Sequence, residues 1–432
     1  MLMDTPREFE PTKAQQQLLR TTVVDDQHPG PLLHDFEILL DFVEETRPQL
    51  TGTLLLPLRV LEGLNAQLAR PLQHRLSRPQ QKSFTHINGL YWLMRASGLT
   101  VVDSTGKKPH LEVDAEARQA WAKLNPTERY CTLLETWVVR AQSEIIGERD
   151  AFGANRVVEY WDTLFRRIPA DGLAVAGNAD VEQSLSYFPG YHNLALLELF
   201  GLVEAPPAPP REGRGWQIAR LYRTPLGDAL LILLRTALYG KPEDAQSGLL
   251  FQFHRMSQAP IGLLQPFLKP YFPAWQNNLT LSGEEFQDGL YIFKVALDKN
   301  LWRRIAIPAN DMLEDLSDAI LAAYEFDHDH LYRFIYPNRF GGHDEVNHPY
   351  MEEEPPFTTE VRIGDLPLRP GETMIYHFDF GDDWKFAVTL ERIDPPDRRQ
   401  QQAKLLEKQG DAPEQYPSWE SYEVWDDAEN EG

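Results

Sequence analysis

One cysteine, no membrane-length apolar run and a shortage of bases, 42 against 65 acids, set the first limits on this chain of 432 residues. A lone thiol, Cys131, cannot close an internal disulfide. Within the helical pattern from Glu128 to Arg140 it reads as a small core residue and not as a nucleophile. No window comes near the ~18 apolar residues a membrane span requires, and the opening MLMDTPREFEPTK lacks the basic start and apolar stretch of an export signal. A soluble protein of a reducing cytoplasm, with no membrane partner, is the expectation. Also missing are a Gly-rich phosphate loop, a G-x-S-x-G elbow, an H-E-x-x-H pair and a dinucleotide fingerprint after a strand. A catalytic role therefore has no recognisable constellation to rest on, although two carboxylates in a cleft would suffice for one.

The charge that is present lies unevenly. The formal total is −23, and from Glu284 onward there are about 34 acids against about 14 bases, so roughly −20 sits in the last third. That third repels phosphate. The near-neutral remainder is free to bind either sign.

Apolar residues Leu33, Phe36, Leu40 and Val43 recur at helical spacing in a lead-in helix expected between Pro31 and about Leu56. After it a pattern occurs twice. HINGLYWLMRASGLTVVD and YHNLALLELFGLVEA each carry an apolar helix ending at Gly-Leu (Gly98 and Leu99, then Gly201 and Leu202). Two β-prone stretches then flank a turn-rich, basic segment, and a new helix starts at a capping residue, Asp114 or Thr224. This order resembles winged helix-turn-helix domains, and RTPLGDALLILL resembles their closing helix. The resemblance makes Lys107 to His110 and Arg211 to Arg214 the wings and the helix before Gly98 the place for groove contacts, with His74, Arg75, Arg78 and Lys82 nearby. Asp103, Glu112, Asp114 and Glu116 crowd the first wing and favour protein docking there. Arg211, Arg214, Arg220 and Arg223 make the second copy the candidate for DNA, set against the plainer reading of solvated loop charge. Between the copies two helices are expected over Asn125 to Arg167, with Trp121, Trp137, Trp161 and Phe165 facing a core.

The segment Ala245 to Trp275 is read as a strand running into a proline-spaced linker. Beyond it GLYIFKVALD and LWRRIAIP form an antiparallel strand pair. MLEDLSDAILAAYEF follows as an amphipathic helix with Leu313, Leu316, Ile320 and Ala323 on one face. HLYRFIYP is a third strand, Asn338 to Phe357 a long acidic loop, and YHFDFGDDWKFAVTLERI two strands joined at Gly381 and Asp382. The expected class is α+β overall: a mainly helical N-terminal region with winged-helix-like units, and a C-terminal domain of one mixed, β-grasp-like sheet with one packed helix. The expected segments are a helical lead-in (1–60), a first winged-helix-like unit with helices (61–168), a second (169–245), a linker (246–284), the α+β domain (285–420) and an acidic tail (421–432).

LWRRIAIPAN, LEDLSDAILAAYEFDHDHLYRF, GDLPLRPGETMIYHFDFGDDWKFAVTLERI and LLEKQGDAPEQYP resemble, in order and spacing, the plasmid pRiA4b ORF-3-like family. The motif positions are Trp302, Arg303, Arg304, His330, Asp379, Gly381, Asp382 and Trp384. The resemblance implies an α+β domain with no established reaction. Some members are described as resolvase-like accessory proteins of mobile elements, but nothing here resembles a serine recombinase nucleophile, so that activity is not carried over. Where the family often has a His two residues after the Trp, this chain has Phe386, and a metal role through that His fails.

Metal candidates remain in Asp379, Asp382, His328 and His330, with Asp329, His343, Asp344, His348 and Asp383 close in sequence. An oxygen-rich set would suit magnesium, calcium or manganese better than zinc. Against this, Asp379 at a strand end can bond turn amides and Gly-Asp-Asp can form a hairpin turn. Arg303 and Arg304 are candidate partners of these acids in an electrostatic latch. The expected function is a non-enzymatic adaptor or regulatory protein without a cofactor, with a protein partner and DNA as a second one through the N-terminal region. The alternative is a hydrolase or nuclease dependent on a divalent metal ion.

Overall fold

Local signals fix the ends of the helices. The computed structural model describes residues 9–104, 106–148, 156–241, 244–252, 260–281, 286–351, 355–397, 399–400 and 402–416. The acidic tail 421–432 and parts of the expected linker and acidic loop lie outside them. The chain divides into two units, Met1–Ser282 with Arg339–Gly342, and Gly283–Asn338 with His343–Gly432. No helix among the described residues is long and apolar enough to cross a membrane.

In chain order the first unit contains α1 (Lys13–Thr21), α2 (Leu32–Thr46), α3 (Leu58–Asn65), α4 (Thr85–Ala96), β1 (Thr100–Asp103), β2 (His110–Val113), α5 (Ala115–Lys123) and α6 (Pro126–Glu135). Then come α7 (Val157–Arg167), β3 (Leu173–Ala174), α8 (Ala179–Tyr187), α9 (Tyr191–Leu199), β4 (Val203–Glu204), β5 (Arg220–Arg223), α10 (Pro225–Tyr239), α11 (Leu249–Gln252) and α12 (Gln265–Leu268). The lead-in helix stops ten residues short of the expected Leu56, because Arg47 turns left-handed (φ 43°) ahead of Pro48. Gly98 and Gly201, at φ 76° and 73°, follow the last turns of α4 and α9 in a conformation that costs a side chain steric energy. Asp114 accepts the Ala117 amide at 2.9 Å and Thr224 the Gly227 amide at 3.0 Å, so both expected caps are used.

The same order of elements occurs twice. In the first pass α2 leads to an extended Gln49, then α3, α4 and the β1–β2 hairpin, and Gln49 bridges antiparallel to His110 of β2. The Leu50 amide donates to Pro109 and the Leu111 amide to Pro48, at 2.8 and 3.0 Å. In the second pass α7 leads to β3, then α8, α9, β4 and β5, with strand order β3-β5-β4. In both, extended chain after the first helix, a single bridge at Gln49 in the first pass and β3 in the second, pairs with the far strand of the closing hairpin.

The two passes bury their third helices against each other. Every residue of α4 is buried, as is α9 from Asn193 to Leu199. Gly89 permits the close approach: a Cβ there would meet Leu196 Cγ at 2.9 Å and the His192 carbonyl oxygen at 3.2 Å. Trp92 meets the His192 ring edge-on at 5.3 Å, and Trp137 stacks between Trp161 and Phe200. Cys131 is buried in the same core, its thiol pushed up by burial.

The segment expected as a linker belongs to this core. Leu264, Leu268, Phe272 and Trp275 are buried in it. Two buried carboxylates of α6 hold its backbone: Glu128 accepts from the amides of Gln276 and Asn277, and Glu135 from those of Gly262 and Leu264 at 2.7 and 2.8 Å. Charge-assisted bonds of this kind are about twice as strong as neutral ones, and they make the prolines part of a packed strap.

The second unit contains β6 (Leu290–Ala296), β7 (Trp302–Pro308), α13 (Leu313–Tyr324), β8 (Tyr332–Pro337), β9 (His343–Asn347), β10 (Thr373–Phe378), β11 (Trp384–Asp394) and β12 (Lys404–Gln409). They form one seven-stranded sheet, β12-β7-β6-β11-β10-β8-β9. All its pairings are antiparallel, in contrast to the mixed, β-grasp-like sheet expected from the sequence. The helical crossover α13 returns the chain in the direction of β7, which would make β8 parallel to β7 if they were neighbours. The β6 strand and the β10–β11 hairpin separate them, and three intervening strands keep the alternation. The acidic loop contains β9, at the sheet edge. Leu313, Leu316 and Ile320 of α13 are buried with Phe293, Ile305, Tyr376 and Phe386 of the sheet, and Ser317 bonds the Tyr376 hydroxyl at 2.7 Å.

His192 gives this packing a pH dependence. Burial pushes its imidazole down from 6.5 to about 4, so the unfolded chain takes up the proton first as pH falls. The contribution is complete above about 6.5 and is lost toward about 4, by up to about 3 kcal/mol. Urea unfolding of wild type and His192→Gln at pH 7, 5.5 and 4.5 checks this: the variant is expected to lose less stability across the window, and parallel curves would refute it.

Candidate functional site

Alternation along β10 places Tyr376 and Phe378 in the core and His377 on the opposite face. The hairpin loop then turns through Asp379 and Asp383, both left-handed at φ 52° and 57°. Asp379 is 6% exposed and spends its carboxylate on this turn: Oδ1 accepts the amides of Gly381 at 2.9 Å and Asp382 at 3.3 Å, while its carbonyl takes the Asp383 amide. Oδ2 faces His330 Nε2 at 3.3 Å.

Of the four metal candidates, the fold brings together this one pair. His328 turns to Asp318 at 3.1 Å, and Asp382 enters the cluster through its amide. Asp329 accepts from the Tyr416 hydroxyl at 2.8 and 2.9 Å, a bond that lowers its pKa. His343 and Asp344 lie on β9, and the His348 ring packs against Tyr332. No group of three His, Cys, Asp or Glu able to hold a metal occurs among the described residues. Phe386, where a His would be needed, is fully buried against Tyr324 and Tyr376.

The expected latch between the arginines and these acids does not form. Arg303, 1% exposed, donates to the carbonyls of Ala323, Trp302, Gln409 and Gly410 and lies 4.5 Å above the Tyr324 ring. It thereby ties the C-terminal end of α13, where the helix dipole favours a cation, to the end of β12. Arg304 pairs with Glu391 at 2.6 Å and with Glu407, and it shares the Trp302 ring with Lys294. Trp384 packs on Phe326. A pair the sequence did not single out is His377 and Asp383, 2.8 Å apart, with Lys385 Nζ 2.6 Å from the same carboxylate. Burial and Arg333 lower the His377 pKa.

In the first unit the four arginine candidates are mostly engaged within the fold. Arg211 pairs with Glu182, Arg220 bonds the carbonyls of Asp171 and Gly172, and Arg223 lies by Asp228 and bonds the Phe165 carbonyl. Arg214 is exposed, but its backbone bonds Arg75, and the Gly213 amide returns a bond at 2.9 Å, so this β4–β5 connection is tied down to the α3–α4 segment. Beside it opens a cleft of about 490 Å³ lined by Lys82, Thr85, Glu182, Tyr191, Arg214 and Trp216, among others. The sequence marks Lys82 and Arg214 as bases but gives no sign that they share a cavity.

Residues 290–425 match the family model described as Plasmid pRiA4b ORF-3-like protein. The α+β unit thus carries the domain of that family, as its four motifs led one to expect. No curated protein matches the chain. Among solved structures, the crystal structure of a protein of unknown function, MM3350, from Methanosarcina mazei Go1 is 25% identical over 29% of this chain and 71% of that one, with a TM-score of 0.26.

Two outcomes test the structural roles of the motif residues. Arg303→Met leaves its carbonyl partners without their shared donor and is expected to cost about 2–4 kcal/mol in urea unfolding. Arg303→Lys should recover part of it, and a loss under about 0.5 kcal/mol would refute the clamp. Asp379→Ala removes the turn acceptor and the favourable left-handed residue together and should cost about 1–3 kcal/mol. Asp379→Asn, which keeps an amide acceptor and tolerates this φ, should lose less than half as much. Equal losses would place the effect in the charge instead.

Proposed function

We propose that this protein is a non-enzymatic adaptor or regulatory binding protein whose first unit is a tandem of two winged-helix modules turned inward on each other. The element order, with the early strand joining the far strand of the hairpin in both passes, supports the winged-helix reading. One observation carries the choice between DNA and protein as the partner. The helices that would enter a groove, α4 and α9, are buried on each other along their length. A recognition helix needs a solvent face with side chains that reach base edges, and these helices have spent theirs on the core. Docking of a protein is the reading that remains, and the acidic C-terminal third favours a basic surface on that partner. The lone buried thiol favours a cytoplasmic setting, and the family's description raises association with a plasmid or other mobile element. The rival, a metal-dependent hydrolase or nuclease, has in its favour the His330–Asp379 pair.

Fluorescence anisotropy of a labelled random-sequence duplex with the full chain, at about 50 and 200 mM salt, tests the choice. The expected result is no saturable binding at either concentration. A saturable isotherm that weakens steeply with salt would overturn it, and one stoichiometric divalent ion that survives dialysis would revive the rival.

A further inference from the structure

The cleft of about 490 Å³ has the size of a small-molecule site and is built by both modules. Lys82 and Thr85 come from the start of α4, Gln183 and Ser186 from α8, Tyr191 from the start of α9, and Arg214 to Gln217 from the second wing. Its charge is positive where it is open. Lys82 and Arg214 are both exposed, and the acid in its lining, Glu182, is neutralised by Arg211. Hydroxyls of Ser83 and Thr85 add donors beside these cations, while that of Ser186 donates to the Gln183 carbonyl at 2.6 Å.

Two further features suit an anion with a ring. Phe84, at the N-cap of the twelve-residue α4, provides no side-chain acceptor for the first-turn amides, and Thr85 of that turn lines the cleft. An anion placed there meets the positive end of the helix dipole in addition to Lys82 and Arg214. The lining also holds aromatic surface: Trp216 packs against His86 at 4.8 Å and Tyr191 at 6.2 Å, and His86 is fixed from behind by Glu198 at 2.9 Å. The wing that carries Arg214 and Trp216 is held in place by the bonds to Arg75, so the site is preformed.

We propose that this cleft binds a small aromatic anion, a carboxylate or phosphate ester, with its charge between Lys82 and Arg214 and its ring against Trp216 and Tyr191. Occupancy would join the second wing, α8 and the start of α4 through one ligand and stabilise the joint between the modules. The inference stands apart from the choice of macromolecular partner, because the cleft lies in the first unit whatever the protein docks to.

Calorimetric titration of the full chain with three probes tests it: phenyl phosphate, inorganic phosphate and benzylamine. Phenyl phosphate is expected to bind, with inorganic phosphate at least about tenfold weaker and benzylamine silent. Lys82→Ala and Arg214→Ala should each weaken phenyl phosphate by about tenfold. Both side chains are exposed, so the variants should melt with the wild type. No binding of phenyl phosphate, unchanged binding in both variants, or equal binding of benzylamine would each overturn the site.

Discussion

The first unit depends on the contact of α4 with α9. Gly89 lets the helices approach until Leu196 and the His192 carbonyl lie against its backbone. The hairpins that follow the two helices, the stacked Trp137, and the strap from Gly262 to Trp275 all lie on a core set by this contact. Interiors are packed like organic crystals, so a helix embedded in this way is not available for a second use.

The second unit solves a different problem, how to keep a seven-stranded sheet antiparallel across a helical crossover. Three intervening strands do it, and the helix is then fastened at both levels of its length. Ser317 bonds Tyr376 in the middle of the sheet, and Arg303 gathers carbonyls from the end of α13 and the end of β12. A guanidinium buried without a carboxylate is tolerable because four carbonyls and an aromatic face share its charge.

What was legible in the sequence is what depends on neighbours along the chain. The glycines that end α4 and α9, the caps at Asp114 and Thr224, the alternation of β6, β7, β10 and β11, and the role of Asp379 as a turn acceptor all follow from a few consecutive residues. What was not legible depends on distant partners. Glu128 and Glu135 look like ordinary surface acids of a helix, yet both bond backbone more than a hundred residues away. The HDEVN strand β9 has no apolar alternation to announce it, since its pairing with β8 is made by backbone at an edge. Arg303 and Arg304 stand next to each other among many acids, and only the pleat, which sends one inward and one outward, decides that the first takes carbonyls and the second takes glutamates. The cleft at Trp216 needed the start of α4, α8, the start of α9 and the β4–β5 connection to come together before it existed.

The family motif marks construction more than chemistry. Arg303 is used up on carbonyls, Arg304 on Glu391 and Glu407, Asp379 on the amides of its own loop, and Asp382 enters that loop through its backbone. Trp302 lies under two cations and Trp384 packs on Phe326. Among the motif residues, His330 and Asp382 keep exposed polar side chains, and the partner of His330, Asp379, is already tied to the turn. On the sheet face turned away from α13, the motif residue Arg304 shares the surface with His377, Arg333 and Lys385, which the motif does not include.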